Sequence, residues 1–293
     1  MFTGSTVALV TPMDADGQIN HGDLGKLVEF HIASGTEALV IAGTTGESAT
    51  LTHDEHIELI ERSCELVDGR IPVIAGTGSN STVQTKALSK AVDKLPVDGF
   101  LVVTPYYNKP TQEGLFQHFS LIADSVQRPV ILYNVPGRTG VDLTSNTAKK
   151  LACHGNISGI KEASGEVDRV EILRDGCGPD FVLLSGDDAT SAEFMLLGGD
   201  GCISVTANVA PSQMRALCDA ARSGDNRRAK AVDASLRGLH ESLFFESNPI
   251  PVKWALAQLG YAGSGIRLPL TGLAVEHHEG VLAAIHAAGI KVP

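Results

Sequence analysis

The stretch VILYNVPGRTGVDLTSNTAKKLACHGNISGIKEA, residues Val130–Ala163, decides the architecture. It opens with a short apolar run, Val130–Tyr133, that stops at Asn, Pro and Gly. It closes with a second, Ile157–Ile160, that stops at Lys161-Glu162, and a helix-length segment lies between. Runs this short read as strands, and without polar alternation they suit parallel strands covered on both faces. Two parallel strands joined through a helix make one βαβ unit, which is right-handed.

The same unit recurs on both sides. Further apolar runs fall at Val7–Val10, Ala38–Ala42, Val73–Ala75, Phe100–Val103, Phe181–Leu184 and Cys202–Val205. Between them the period changes to that of an amphipathic helix. Leu24, Leu27, Val28 and Ile32 form one stripe, Ile57, Ile60, Cys64 and Val67 another, and Phe119, Ile122, Ala123 and Val126 a third. Thr52 with Glu55 three residues on is a capping box, and Gly35, Gly69 and Gly198 stand where helices end. Eight strand runs alternating with helices predict a closed (β/α)8 TIM barrel. After residue 210 the strand runs stop. Pro211–Arg222, Asn226–Phe245, Pro251–Leu259 and Val275–Ala288 read as helices, one completing the barrel and the rest forming a small C-terminal helical appendage. The expected division is a catalytic barrel at 1–224 and a helical region at 225–293.

Composition narrows the function classes. The 293 residues carry 23 Lys+Arg against 34 Asp+Glu, a net charge of −11, which argues against nucleic acid and anionic membranes as partners. No apolar run approaches the roughly 20 residues of a membrane span. No Lys or Arg precedes Lys26, so the basic start of a signal peptide is missing. Five scattered cysteines without a Cys-x-x-Cys pair fit buried thiols in a reducing cytoplasm.

In such barrels chemistry sits at the C-terminal ends of the strands. Those ends carry Thr44-Thr45, Tyr106-Tyr107, Tyr133, Arg138, Lys161 and Gly186-Asp187-Asp188. Among eleven lysines, Lys161 alone ends an apolar strand run; the other ten stand in helical, polar or loop segments where a solvated ammonium is expected. A strand-end lysine can simply snorkel to solvent. Burial, however, lowers an amine's pKa from about 10.4 towards neutrality and makes it nucleophilic. Phenols and hydroxyls at the neighbouring strand ends, in place of a carboxylate cage, suit Schiff-base chemistry on a carbonyl. Tyr133 and Tyr107, two of only four tyrosines, with Thr44 suggest the proton relay that carbinolamine formation and dehydration need. Gly43-Thr44-Thr45-Gly46 would form a small anion nest, and Arg138 in its Gly-Arg-Thr-Gly turn suits a carboxylate clamp. No cofactor is expected. The Gly43–Gly46 loop lacks a Walker lysine and Gly76-Thr77-Gly78 lacks the third glycine of a dinucleotide fingerprint. His53 and His56 at i, i+3 and the pair Asp187-Asp188 have no third ligand to make a metal site, and Asp187 reads better as a helix N-cap.

Taken together, Gly43-Thr44-Thr45-Gly46-Glu47, Pro105-Tyr106-Tyr107-Asn108, Tyr133–Gly140, Gly159-Ile160-Lys161-Glu162-Ala163 and Ser185-Gly186-Asp187-Asp188 resemble the bacterial 4-hydroxy-tetrahydrodipicolinate (dihydrodipicolinate) synthases. The likeness runs from Met1-Phe2-Thr3-Gly4 through Asn248–Trp254, nearly the whole chain, in the same order. It implies a cytoplasmic homotetrameric lyase, a dimer of dimers, that condenses pyruvate with L-aspartate 4-semialdehyde in lysine and diaminopimelate biosynthesis. By the resemblance Lys161 forms the imine with pyruvate, and Tyr133 passes protons through Thr44 to Tyr107 of a neighbouring subunit. Arg138 holds the semialdehyde carboxylate, and Thr45, Gly186 and Ile203 line the pyruvate pocket. Sister Schiff-base enzymes, such as N-acetylneuraminate lyase or keto-deoxy sugar-acid aldolases, share the lysine and tyrosine; the Gly-Arg-Thr-Gly turn separates them. A metal-dependent aldolase and a catalytically silent keto-acid sensor are the alternatives from other classes. The resemblance also implies an L-lysine effector pocket at Ser48, Ala49, Leu51, His53, His56, Asn80 and Tyr106. Lysine-inhibited relatives carry glutamate where this chain has Gln84, so weak or absent inhibition is expected.

Overall fold

Eight parallel strands pair in chain order and the eighth closes on the first, in a computed structural model that describes residues 2–293. The first half alternates β1 (Gly4–Ala8), α1 (His21–Ala33), β2 (Ala38–Ile41), α2 (His53–Val67), β3 (Val73–Gly76), α3 (Thr82–Val92), β4 (Gly99–Val103) and α4 (Gln112–Ala123). The second half continues with β5 (Val130–Asn134), α5 (Pro136–Thr139), α6 (Ser145–Ala152), β6 (Ile157–Glu162), α7 (Arg169–Cys177), β7 (Val182–Ser185), α8 (Ser191–Leu196) and β8 (Gly201–Ser204). Then follow α9 (Pro211–Arg222), α10 (Asn226–Ser242), α11 (Ile250–Gln258) and α12 (Val275–Ala287). The expected barrel is the observed one.

Two apolar layers hold it. Inside the barrel, alternate strand residues such as Val40, Ile74, Leu101, Ile131, Tyr133, Leu184 and Ile203 pack together. Phe2 joins this inner layer, and a Cβ on Gly99 would lie 2.7 Å from its ring, so only glycine admits the aromatic there. The opposite strand faces meet the helical ring through residues such as Leu39, Val102, Leu132 and Ile160. Thr52 and Glu55 form the expected capping box at the start of α2.

Three differences from the sequence-based expectations matter. The first strand lies at Gly4–Ala8 and not at Val7–Val10, because Ser5 and Thr6 are buried there as small polar residues that an apolar search passes over. The chain beyond is held by side chains instead: Val10 N–H donates to Asn208 Oδ1 (3.1 Å) and Thr11 Oγ1 to Gly46 O (2.6 Å). At the other end, β6 continues through Lys161 and Glu162, and β5 through Asn134, so these polar residues belong to the ladder. Finally, β6 carries one extra residue. Val130 pairs with Ile157 but Ile131 with Gly159, so Ser158 is bulged out and Tyr133 comes to face Lys161.

The five cysteines are free thiols. Cys64, Cys202 and Cys218 are buried as expected, whereas Cys153 is exposed and Cys177 half-buried. No helix among the described residues is long and apolar enough to cross a membrane.

Candidate active site

Alternation along β5 and β6 turns Tyr133 and Lys161 into the barrel side by side. Lys161 is only 5% exposed, and its Nζ stands 4.4 Å from the centroid of the Tyr133 ring. Burial drives the amine down to about 8, with the charge of Arg138 pushing the same way and that of Asp188 opposing. A substantial neutral fraction is therefore present near pH 8. Burial raises the Tyr133 phenol, against the charge of Arg138 and a hydrogen bond with Thr44. The phenol stays protonated and able to donate.

Gly186 follows β7 directly above the lysine. A Cβ there would lie 2.8 Å from Lys161 Cε and 2.8 Å from the Ala163 Cβ, so glycine makes room for the amine's stem. Ile203 of β8 packs in the same inner layer as Tyr133. Asp187 caps the turn that follows it, accepting from Ala189 N–H at 3.3 Å, as expected. Asp188, which had no role beyond a weak metal reading, is buried and accepts from the N–H groups of Val205 and Thr206 at 2.9 and 2.8 Å. It is the carboxylate that the sequence reading expected to be missing near Lys161.

The loop after β2 brings Thr44 and Thr45 to the same mouth. Its Gly46, Glu47 and Ser48 N–H groups are engaged by the carbonyls of Gly43 and Thr44, which leaves those of Thr44 and Thr45 for an anion. Glu47 adopts a left-handed φ of 57°, uncommon for a residue with a side chain. Its carboxylate is buried, paired with Lys253 of α11, and also accepts from Arg267 N–H at 3.1 Å. Here the sequence reading fails: Lys253 is 2% exposed, so Lys161 is not the sole buried lysine. The two differ in partners, since Lys253 has a carboxylate and Lys161 a phenol ring. The segment before α11 touches the mouth as well. Asn248 Nδ2 donates to Thr45 Oγ1 at 3.0 Å, and its carbonyl accepts from Arg138 Nη2 at 3.3 Å. Asn248, Lys253 and Asp188 are site residues that sequence reasoning missed. Arg138 itself is exposed, one edge of its guanidinium held and the rest open to solvent.

Lys161, Tyr133, Thr44, Thr45, Gly186, Ile203 and Arg138 thus gather at one mouth. Tyr107 does not join them within this chain: it is 88% exposed, on the loop after β4, at a φ of 75°. The expected effector residues lie on the neighbouring loops and in the first turns of α2 and α3. Ser48 and Ala49 form a 3-10 turn leading past Leu51 into α2, Asn80 accepts through its carbonyl from Asn108 at 2.8 Å, and Gln84 faces Ser79 on α3. His53 and His56 are not alike. His53 is exposed, while His56 is buried and bonds through Nε2 to the Gly76 carbonyl at 2.7 Å, so it neither decorates a solvated face nor pairs with His53.

The model of the dihydrodipicolinate synthetase family matches residues 1–288. The chain belongs to this family. A 4-hydroxy-tetrahydrodipicolinate synthase of Thioalkalivibrio sulfidiphilus (strain HL-EbGR7) is 56% identical over 292 residues, covering 100% of this chain and 99% of its own. Among solved dihydrodipicolinate synthases, the chloride-inhibited protein of Acinetobacter baumannii complexed with pyruvate superposes with a TM-score of 0.98 at 52% identity, over 99% of this chain and 100% of that one. The lysine-bound protein of Cyanidioschyzon merolae superposes at 0.96 and 39% identity, over 99% of each chain.

Proposed function

We propose that this member of the family is a 4-hydroxy-tetrahydrodipicolinate synthase, condensing pyruvate with L-aspartate 4-semialdehyde through an imine at Lys161. The observation that carries the reading is the buried Lys161 amine, its Nζ 4.4 Å from the centroid of the buried Tyr133 ring, with burial lowering the amine to about 8. The neutral amine attacks the keto carbon of pyruvate. Tyr133 supplies the proton that lets the carbinolamine lose water. Loss of a methyl proton from the imine gives an enamine, whose carbon adds to the aldehyde. The semialdehyde's own amine then displaces Lys161 and closes the ring. Thr45, Gly186 and Ile203 bound the pyruvate end, and the named relatives favour this reaction over the sister aldolases. Formation of the cyclic product from purified protein, pyruvate and semialdehyde tests the reading; imine formation without product would favour a sister aldolase.

Arg138 is the carboxylate clamp for the second substrate, because its exposed guanidinium is held only by the Asn248 carbonyl, which itself belongs to a residue bonded to Thr45. Arg138→Ala should raise the KM for semialdehyde by about tenfold or more while pyruvate still forms its imine. Loss of the imine in that variant would contradict the clamp.

Tyr107 completes the relay from a second copy of the chain, since a phenol this exposed has no protected path to Tyr133 in its own. The working unit is then a homotetramer, two such dimers together, in the cytoplasm. We divide the chain into a catalytic barrel at 1–224 and a helical region at 225–293. Ser48, Ala49, Leu51, His53, His56, Asn80, Gln84 and Tyr106 make the L-lysine pocket, in keeping with the lysine-bound relative. Gln84 can bond an ammonium without offering a charge. Charge-assisted bonds are about twice as strong as neutral ones, so Gln84→Glu should tighten lysine inhibition by roughly 5–30-fold. Equal inhibition constants before and after the change would show that charge at this position is not decisive.

A further inference from the structure

The outward faces of β5 and β6 carry a polar cluster directly behind the reacting pair. One residue beyond Tyr133 and Lys161, the register places Asn134 opposite Glu162, both buried against the helical ring. Asn134 Nδ2 donates to both Glu162 oxygens, at 3.2 and 3.1 Å, and to Asp142 Oδ1 at 2.8 Å. Its Oδ1 accepts from Leu143 N–H at 2.9 Å, while Glu162 Oε1 accepts from Ser164 N–H at 2.7 Å. Arg169 closes the cluster with a bidentate pair to Asp142, 2.8 Å at each contact, and its Nη1 lies 3.6 Å from Glu162.

This cluster fits one strand register and no other. Below the Ser158 bulge Val130 pairs with Ile157; carried upwards without the extra residue, that spacing would set Tyr133 against Ile160 and Asn134 against Lys161. A one-residue slip turns each side chain of a strand to the other face. The bulge therefore creates the pairing that chemistry needs, three pairs away from where it is needed. We infer that Asn134, Glu162, Asp142 and Arg169 form a clasp that fixes the bulged register of β5 and β6 and so positions Lys161 beside Tyr133. These are positioning residues: none of them reaches the inner face of the barrel.

The inference rests on Lys161 forming the imine, and the test separates the two. The rate at which pyruvate and borohydride label the protein is followed against pH. The unaltered protein should label with a midpoint near 8; no labelling at all would remove the imine reading itself. A misplacement of ~1 Å can cost roughly 10²-fold in rate. Asn134→Ala should accordingly label about tenfold or more slowly at pH 7, with its midpoint displaced upwards as water reaches the amine. Glu162→Gln, which keeps the shape but sets an amide nitrogen against the Asn134 donor, should move both quantities the same way and decides the matter if Asn134→Ala does not fold. Leu151→Ala, a cavity in the outer layer on α6, should lose stability yet keep rate and midpoint. Folded clasp variants that label like the unaltered protein, or an equal displacement in Leu151→Ala, would overturn the clasp.

Discussion

Lys161→Ala should reduce turnover by on the order of 10⁴-fold or more, the scale of removing a covalent nucleophile while the binding groups remain. It should also abolish the stable mass adduct that pyruvate and borohydride leave on the peptide carrying this residue. The pH dependence has a definite sign. The reactive form is the neutral amine, so labelling of the unaltered protein rises as pH increases through about 8. Lys253 is the instructive control. It is buried too, and burial lowers its amine, but the paired Glu47 carboxylate opposes that and favours the charged form, and a charged amine is no nucleophile. An adduct that persisted in Lys161→Ala, on Lys253 or any other lysine, would move the chemistry elsewhere.

Tyr133→Phe should follow with a loss of about 10²–10⁴-fold, the usual range for a general acid–base group. Ring and packing stay, so the platform 4.4 Å from Lys161 Nζ survives and the fold with it. Only the proton goes. Because burial holds the phenol in its protonated form, the loss should be of similar size from neutral pH to pH 9. Turnover within threefold of the unaltered protein would mean that another group moves the proton.

The barrel was legible because its signals are local: each apolar run and each helical stripe lies within one window. Lys161 was legible for the same reason, as a charge that ends a run of strand residues. Other features depend on partners distant in sequence. Lys253 sits in a helix where a surface lysine would look the same, and its burial follows from a carboxylate 206 residues away. His56 reads as polar decoration until the Gly76 carbonyl is placed beside it. The bulge at Ser158 leaves no pattern that periodicity can detect, since a serine beside a glycine fits a strand end equally well. Tyr107 has its proposed role only once a second chain is present, which no single-chain pattern encodes. Ser5 and Thr6 hid the first strand because small hydroxyl residues do not mark a core.

The Glu47–Lys253 pair also has a bearing on how the molecule is made. The ribosome delivers all eight strands before it delivers α11. Until then the Glu47 carboxylate lacks its cation, and an unpaired charge remains in water. The loop that carries Thr44 and Thr45 cannot settle into its buried left-handed turn while that is so. Chains generally acquire structure from the N-terminus as they emerge. Here a loop that emerges before most of the strands is fixed only after α11, so the growing polypeptide holds a barrel with an unfinished mouth until that helix is delivered.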